Sequence, residues 1–399
     1  MSRISPFVGC LYDRARVGPL ERVTTPPYDV ISPAEQQRFL HASPYNLIRL
    51  DLAEGRPDDS DPGDKYRRAA CEYRRWREEG VLVPTEGPAY YPYEMRFTLH
   101  GRRRRIRGLV CAVELEDWGG SIVPHEHTMA GPVRDRLELL RALRANLSSI
   151  HAVVTTPCPA LDELLERSCR GRPTAAMTDE QGVEHRLWVE PQGGRGGRGD
   201  AVAEDLRERS LMIADGHHRY TTALRFREEM RAVRGSGPWD AVMMLVVDAA
   251  TEEPPVLPFH RVVTRGSVPV AGSRVRDLQE VLEEVDDDRL VIGVAAREEG
   301  ELVHRVATLE GEPPTVCALH EQVLGGPEDD LWYTPDAVEA EEAVRTGRAS
   351  AAVFLPSTTA ARIRATVDRG ERLPQKSTYF WPKPRSGMVI RPLEDGPGG

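Results

Sequence analysis

Four consecutive apolar residues, Leu211-Met212-Ile213-Ala214, run into Asp215-Gly216, and an apolar face then recurs at Tyr220, Ala223, Leu224 and Met230. The first pattern predicts a buried strand. The second predicts a helix from Tyr220 onward, with a polar loop between the two. Strict alternation at Tyr91, Tyr93, Met95, Phe97 and Leu99 predicts a half-buried strand. His100-Gly101 turns that strand, and residues 106–115 return as its partner. Tyr66, Ala69, Ala70, Tyr73 and Trp76 trace one face of a helix ended by Gly80. Ser32, with Pro33 at the first helical position and Glu35 behind it, starts another. Residues 47–50, 151–156, 241–247 and 351–355 read as strands. Residues 133–146, 203–209 and 358–370 read as helices, and 265–350 as a further α/β region. The fold class this implies is mixed α/β (α+β).

Composition narrows the setting. The chain has 399 residues, 40% hydrophobic and 29% charged, enough for a real core. A net charge of -10 argues against a bulk nucleic-acid binder. No apolar run has membrane-spanning length, and no signal-peptide pattern opens the chain, so a cytoplasmic location is expected. Six cysteines occur without a Cys-x-x-Cys pair, which disfavours a zinc ribbon and suits reduced structural thiols.

Candidate chemistry concentrates in Asp215-Gly216-His217-His218-Arg219. A strand–loop–helix presents amide N–H groups and the positive end of a helix dipole, a seat for phosphate or carboxylate. The plainer alternative is a helix entry with an Asp–Arg pair and surface histidines. A second group is His125-Glu126-His127. The two histidines share a side if the segment is extended and could ligate a metal; a general base at Glu126 or His125 needs fewer assumptions. Thr25-Pro26-Pro27 presents Tyr28 and Asp29 on a stiff loop, where Asp29 is either a site carboxylate or a turn residue. Lys376-Ser377 suits phosphate, although the glycine-rich approach of a Walker loop is missing. Arg102 to Arg105 reads as a solvated hairpin end. The glycines of residues 191–200 lack the strand and helix of a dinucleotide fingerprint. Neither a Gly-x-Ser-x-Gly elbow nor a His-Glu-x-x-His helix is present.

Five blocks together resemble the bacterial and archaeal domain-of-unknown-function family 1015. They are Pro26-Pro27-Tyr28-Asp29-Val30-Ile31, the block from Pro124-His125-Glu126 to Asn146, Ala214-Asp215-Gly216-His217-His218-Arg219-Tyr220, Pro258-Phe259-His260-Arg261-Val262-Val263, and Pro374-Gln375-Lys376-Ser377-Thr378-Tyr379-Phe380. A weaker resemblance links Asp-Gly-His-His-Arg after a strand to the phosphate-binding corner of the ParB/sulfiredoxin superfamily, which includes free-serine kinases. Phe259, and Thr221-Thr222 after the tyrosine, depart from the usual family pattern.

The resemblance implies a ParB/sulfiredoxin-like core unit at 201–264. A mixed α/β region at 1–200 carries the His-Glu loop, and an α/β region at 265–399 has a tail that returns to the site. It implies ATP or ADP as donor with Mg²⁺, and nucleotide phosphates on Gly216, His217, His218 and Arg219, helped by Lys376 and Ser377. Asp215 would hold Mg²⁺ or orient a histidine. Glu126 would take the substrate hydroxyl proton, with His125 in reserve. Arg141, Arg144 or Lys376 would pair with the carboxylate of an amino-acid substrate and Asp29 with its amine. Tyr28, Asn146, His260 and Arg261 complete the expected substrate contacts. The leading expectation is therefore phosphoryl transfer to a free amino acid, serine first. A nucleotide-responsive regulatory protein without transfer is the second, and a metal-dependent hydrolase using His125, His127 and His217 or His218 is the third. Small molecules and nucleotide are the expected partners, not nucleic acid or membrane.

Overall fold

Gly216 adopts φ 99° and ψ 29°, and in that single left-handed residue the strand Leu211–Asp215 becomes the helix His217–Arg234. The computed structural model that shows this describes residues 3–57, 59–126, 130–193, 198–269, 272–324 and 330–394. The helix therefore starts three residues before the expected Tyr220. Glycine alone makes the turn, because it carries no Cβ to clash at positive φ, and His217, His218 and Arg219 become its first turn.

Two compact units divide the chain. The first comprises residues 1–124, 128–253 and 382–399. Among its described residues ten strands form one mixed sheet. Its main path runs Ile122–Val123, Leu211–Asp215, Ile150–Val154, Ala241–Asp248, Arg102–Glu114, Ala89–Leu99, Glu184–Leu187, Ala175–Thr178. Ile150–Val154 lies parallel to Ala241–Asp248 and antiparallel to Leu211–Asp215. Leu211, Met212 and Ile213 have no exposed surface, each burial contributing about 1.5–3 kcal/mol. Tyr220 locks the following helix against this layer, since its hydroxyl donates to the Glu116 carbonyl at 2.6 Å and accepts from the Glu116 amide at 3.0 Å.

Two expectations change here. Residues 47–50 form a helical turn, Ile48–Asp51, not a strand. Asn46 Oδ1 accepts from the Ile48 amide at 2.9 Å and starts the turn; Leu47, Ile48 and Leu50 with Arg49 between them make too short a pattern to separate the two states. The strand Ala89–Leu99 is buried on both faces over its first seven residues rather than half-buried; it is a central strand of the sheet, and its Glu94 pairs with Arg96. Arg102 to Arg105 extend its exposed hairpin end, as expected.

The second unit comprises residues 125–127 and 254–381. Among its described residues a six-stranded antiparallel sheet runs Ser273–Val275, Glu301–Thr308, Val291–Glu298, Ala351–Phe354, His260–Val263, Leu331–Thr334. Helices Leu278–Glu284 and Ala337–Arg345 pack on it around Val262, Val281, Ala295, Val344 and Phe354. Among the described residues no helix is long and apolar enough to cross a membrane.

Candidate anion-binding corner and a separate carboxylate cluster

In the first unit, the pairing of Leu211–Asp215 with Ile150–Val154 slips between Ile213 and Asp215, so Asp215 stands opposite His151. Such a bulge re-aims one side chain without ending the sheet. The Asp215 carboxylate then meets two cations. Arg219, one helical turn on, donates Nη2–H to Oδ2, and the Lys383 ammonium donates to Oδ1. Arg219 is braced from behind by the Ser149 carbonyl at 2.6 Å and Ser148 Oγ at 3.1 Å. A Cβ at Gly216 would lie 2.9 Å from Arg219 Nε and 3.0 Å from Cζ, so glycine is also what lets the guanidinium fold back.

The electrostatics follow from burial and pairing. Asp215 meets both cations at a corner where the Asp215 and Lys383 side chains are 11% and 10% exposed. Burial alone would raise the Asp215 carboxyl, but Lys383 and Arg219 overcome it and hold the group well below the ordinary carboxylate range. His151 is driven the other way. Burial pushes its imidazole down to about 4, Asp215 opposes the shift, and Lys383 and Arg219 reinforce it. His151 is therefore neutral near pH 7 and adds no charge to the corner. The first turn of an eighteen-residue helix adds the positive end of its dipole.

This donor set suits an anion. It suits a divalent cation poorly: both oxygens of Asp215 already face cationic groups, and Mg²⁺ bound there would have to displace Lys383. Among the described residues no group of three or more His, Cys, Asp or Glu side chains is placed to hold a metal; His127 lies outside the described residues.

Arg219 also lines a cavity of about 60 Å³. Tyr28, Asp51, Arg136, Asn146 and Ser148 share its wall, with Leu139, Leu140 and Val242 on the apolar side. Arg136 donates to Asp51 Oδ1 at 3.0 Å and to the Asp51 carbonyl at 2.6 Å, and its guanidinium stacks 4.1 Å from the centre of the Tyr28 ring. The cavity thus unites Tyr28, Asn146 and Arg219 from the expected set. Three others stand outside its lining. Asp29 is exposed on the turn beside Tyr28. Arg141 is held by Glu229 and Glu138 on an exposed helix face, and Arg144, at φ 48°, pairs with Glu394.

The second unit carries its own polar cluster. Glu126 Oε1 accepts from the Ser377 amide at 3.1 Å, the Thr378 amide at 3.2 Å and Thr378 Oγ1 at 3.0 Å. His125 Nε2 lies 2.7 Å from Thr378 Oγ1. With the threonine hydroxyl donating to Glu126, the network assigns the proton to His125 Nε2, giving a chain from imidazole through hydroxyl to carboxylate. Arg261 is fully buried and holds the same tail: its Nη1 donates to the Phe259 carbonyl at 2.5 Å and the Lys376 carbonyl at 2.9 Å, and its Nε to His320 Nε2 at 3.3 Å. Lys376 lies 5.5 Å from the centre of the Phe259 ring. His260 is buried and accepts from the Leu355 amide through Nδ1 at 3.2 Å. The tail block and the His-Glu block therefore do meet, pinned by Arg261.

Sequence reasoning missed Lys383, His151, Asp51, Arg136 and Thr378. One signal pointed to the first. The 399 residues include only three lysines, Lys65, Lys376 and Lys383, among 53 basic residues, so a retained lysine in an arginine-rich chain is informative. His151 reads as an ordinary strand residue, and nothing in its neighbourhood marks it.

Residues 4–333 match the family described as a protein of unknown function, DUF1015. The chain belongs to that family. No curated protein matches this DUF1015 chain. Among solved structures it is similar to a free serine kinase in complex with AMP, at 13% identity and a TM-score of 0.35, over 65% of this chain and 83% of that one. A conserved hypothetical protein from Pyrococcus furiosus shows 14% identity and a TM-score of 0.34, over 65% and 86%. SbnI with a C-terminal truncation from Staphylococcus aureus shows 12% and 0.31, over 71% and 81%. At these TM-scores the likenesses carry no argument about activity.

Proposed function

We propose that this DUF1015 protein is a phosphotransferase that moves a phosphoryl group from ATP or ADP to the hydroxyl of a free amino acid, serine first, giving O-phosphoserine. The observation that carries the reading is the convergence of Lys383 and Arg219 on the single buried carboxylate of Asp215 at a helix N-terminus. Phosphoryl transfer asks chiefly for positioning and charge neutralisation, and a preformed corner that gathers two cations at a helix N-terminus suits both for donor phosphates. In this reading Arg219, Lys383 and the amides of Gly216, His217 and His218 bind phosphate, and Asp215 holds the two cations in register. Glu126 is the proposed acceptor of the hydroxyl proton, with His125 in reserve. Mg²⁺, where bound by the nucleotide itself, would supply further charge neutralisation; no role is assigned to Asp215 as its ligand.

The test is to incubate pure protein with L-serine, Mg²⁺ and either nucleotide and to look for O-phosphoserine by mass spectrometry. Absence of product with both nucleotides, from folded protein, overturns the assignment. One observation favours a second reading, a nucleotide-binding regulator without transfer. Glu126 Oε1 accepts three hydrogen bonds, so that oxygen is already engaged within its own unit. That reading expects nucleotide to bind in calorimetry with no product in the mass spectrum.

A further inference from the structure

Asp51 is the outlying feature of the cavity beside Arg219. Its side chain is 6% exposed. Oδ1 takes the Arg136 hydrogen bond, whereas Oδ2 is buried without a hydrogen-bond partner among the described residues. A buried carboxylate oxygen left in that state is costly to the fold, and burial pushes the Asp51 carboxyl upward against the pull of Arg136 and Arg219. The residue also lines the cavity. The wall is mixed in charge. Asp51 offers an acceptor, Arg219 a guanidinium, and Asn146 and Ser148 neutral polar groups, against an apolar floor. At about 60 Å³ the space is several times the roughly 10–15 Å³ that one water requires.

We propose that this cavity binds a small free amino acid and that Asp51 Oδ2 accepts the hydrogen bond of its α-ammonium group. The assignment rests on the phosphotransferase reading for the ligand's role as acceptor substrate, and it replaces exposed Asp29 by buried Asp51 as the partner of the amine. A positively charged donor answers the unpartnered oxygen, and the Arg219 side of the cavity is complementary to the carboxylate end. A small hydroxy acid without an amine leaves Oδ2 unanswered and binds worse. Discrimination by an unpaired buried polar group is stronger than discrimination by shape.

Two ligands and one substitution test this in the full chain. Isothermal titration of the wild type with L-serine and with 3-hydroxypropanoate, which lacks only the amine, should show serine tighter by at least about 30-fold. Asp51→Asn keeps the Oδ1 acceptor for Arg136 and removes the buried negative charge. Arg136 keeps Asp135 as an ion partner, so the variant should fold with a modestly lower Tm, yet lose that preference. Failure of the wild type to bind serine overturns the proposal, as does a folded D51N protein that retains the preference. The outcomes separate from those of the phosphotransferase reading. O-phosphoserine formed by D51N with an unchanged KM for serine removes the Asp51 role alone. Asp51-dependent serine binding without any phosphoserine from the wild type removes the transferase alone.

Discussion

Lys383 donates its ammonium hydrogen to Asp215 from 168 residues further along the chain, on the carboxylate oxygen that Arg219 leaves open. Neither cation is adjacent to the other in sequence, and the carboxylate holds both at one corner of the sheet.

Lys383→Met should weaken nucleotide binding and destabilise the fold together. Removing one partner of a buried ion pair costs about 3–5 kcal/mol when the other charge is orphaned. Asp215 keeps Arg219 here, so a loss nearer about 2–3 kcal/mol is expected in urea unfolding. Nucleotide affinity by calorimetry should fall by about tenfold or more, the effect of losing one charge-assisted contact to phosphate.

Two titrations should shape the acid side of the stability profile. The folded-state His151 imidazole lies near pH 4, against about 6.5 when unfolded. Between those values the unfolded chain binds a proton that the folded chain does not, so stability is complete above about pH 6.5 and falls as the pH drops toward 4. The His151 contribution is up to about 3 kcal/mol, and His151→Asn should flatten that window in denaturation measured at a series of pH values. Asp215 acts lower. Its folded carboxyl is held below the ordinary range by Lys383 and Arg219 after they outweigh burial. Its stabilisation is present above about pH 4 and is lost as the pH falls through the folded value.

Gly216→Ala should cost more than a surface glycine change. The backbone stays at φ 99°, where an alanine is strained, and the added Cβ would press on Arg219 at 2.9 Å from Nε. Together these should lower stability by about 1–3 kcal/mol. Because Arg219 must also shift, nucleotide affinity should drop with it, whereas Gly101→Ala, at a hairpin turn with open space around its Cβ position, should affect stability alone.

Glu126→Gln separates base from scaffold. The amide oxygen can still accept from Ser377 and Thr378, so the fold and nucleotide binding should persist. Transfer to serine should fall by about 10²–10⁴-fold if Glu126 takes the hydroxyl proton. Retention of wild-type turnover in a rapid-quench assay would shift the role to His125, and His125→Gln would then be the variant that loses it.

The sequence by itself determined the local elements whose reasons are local. Ser32 caps a helix with Glu35 returning the bond to its backbone. Leu211–Asp215 is a buried strand and Gly216 its break, because four apolar residues followed by Asp-Gly admit little else. It also marked the Asp215–Arg219 corner and the His125-Glu126 and Lys376-Ser377 blocks as chemically loaded. Where two states share a pattern it misled: Leu47, Ile48 and Leu50 suit either a strand or a helical turn, and the Asn46 side-chain bond to the Ile48 amide decides. Tertiary structure alone decided which distant residues complete each cluster. Lys383 reaches Asp215, Thr378 reaches Glu126, and Asp51 meets Arg136 across 85 residues. The two units are themselves discontinuous in sequence. A pattern read along the chain reports which face of an element is buried. It carries no information on what packs there, because a charge partner is selected by position in space and by the loss of water around the pair.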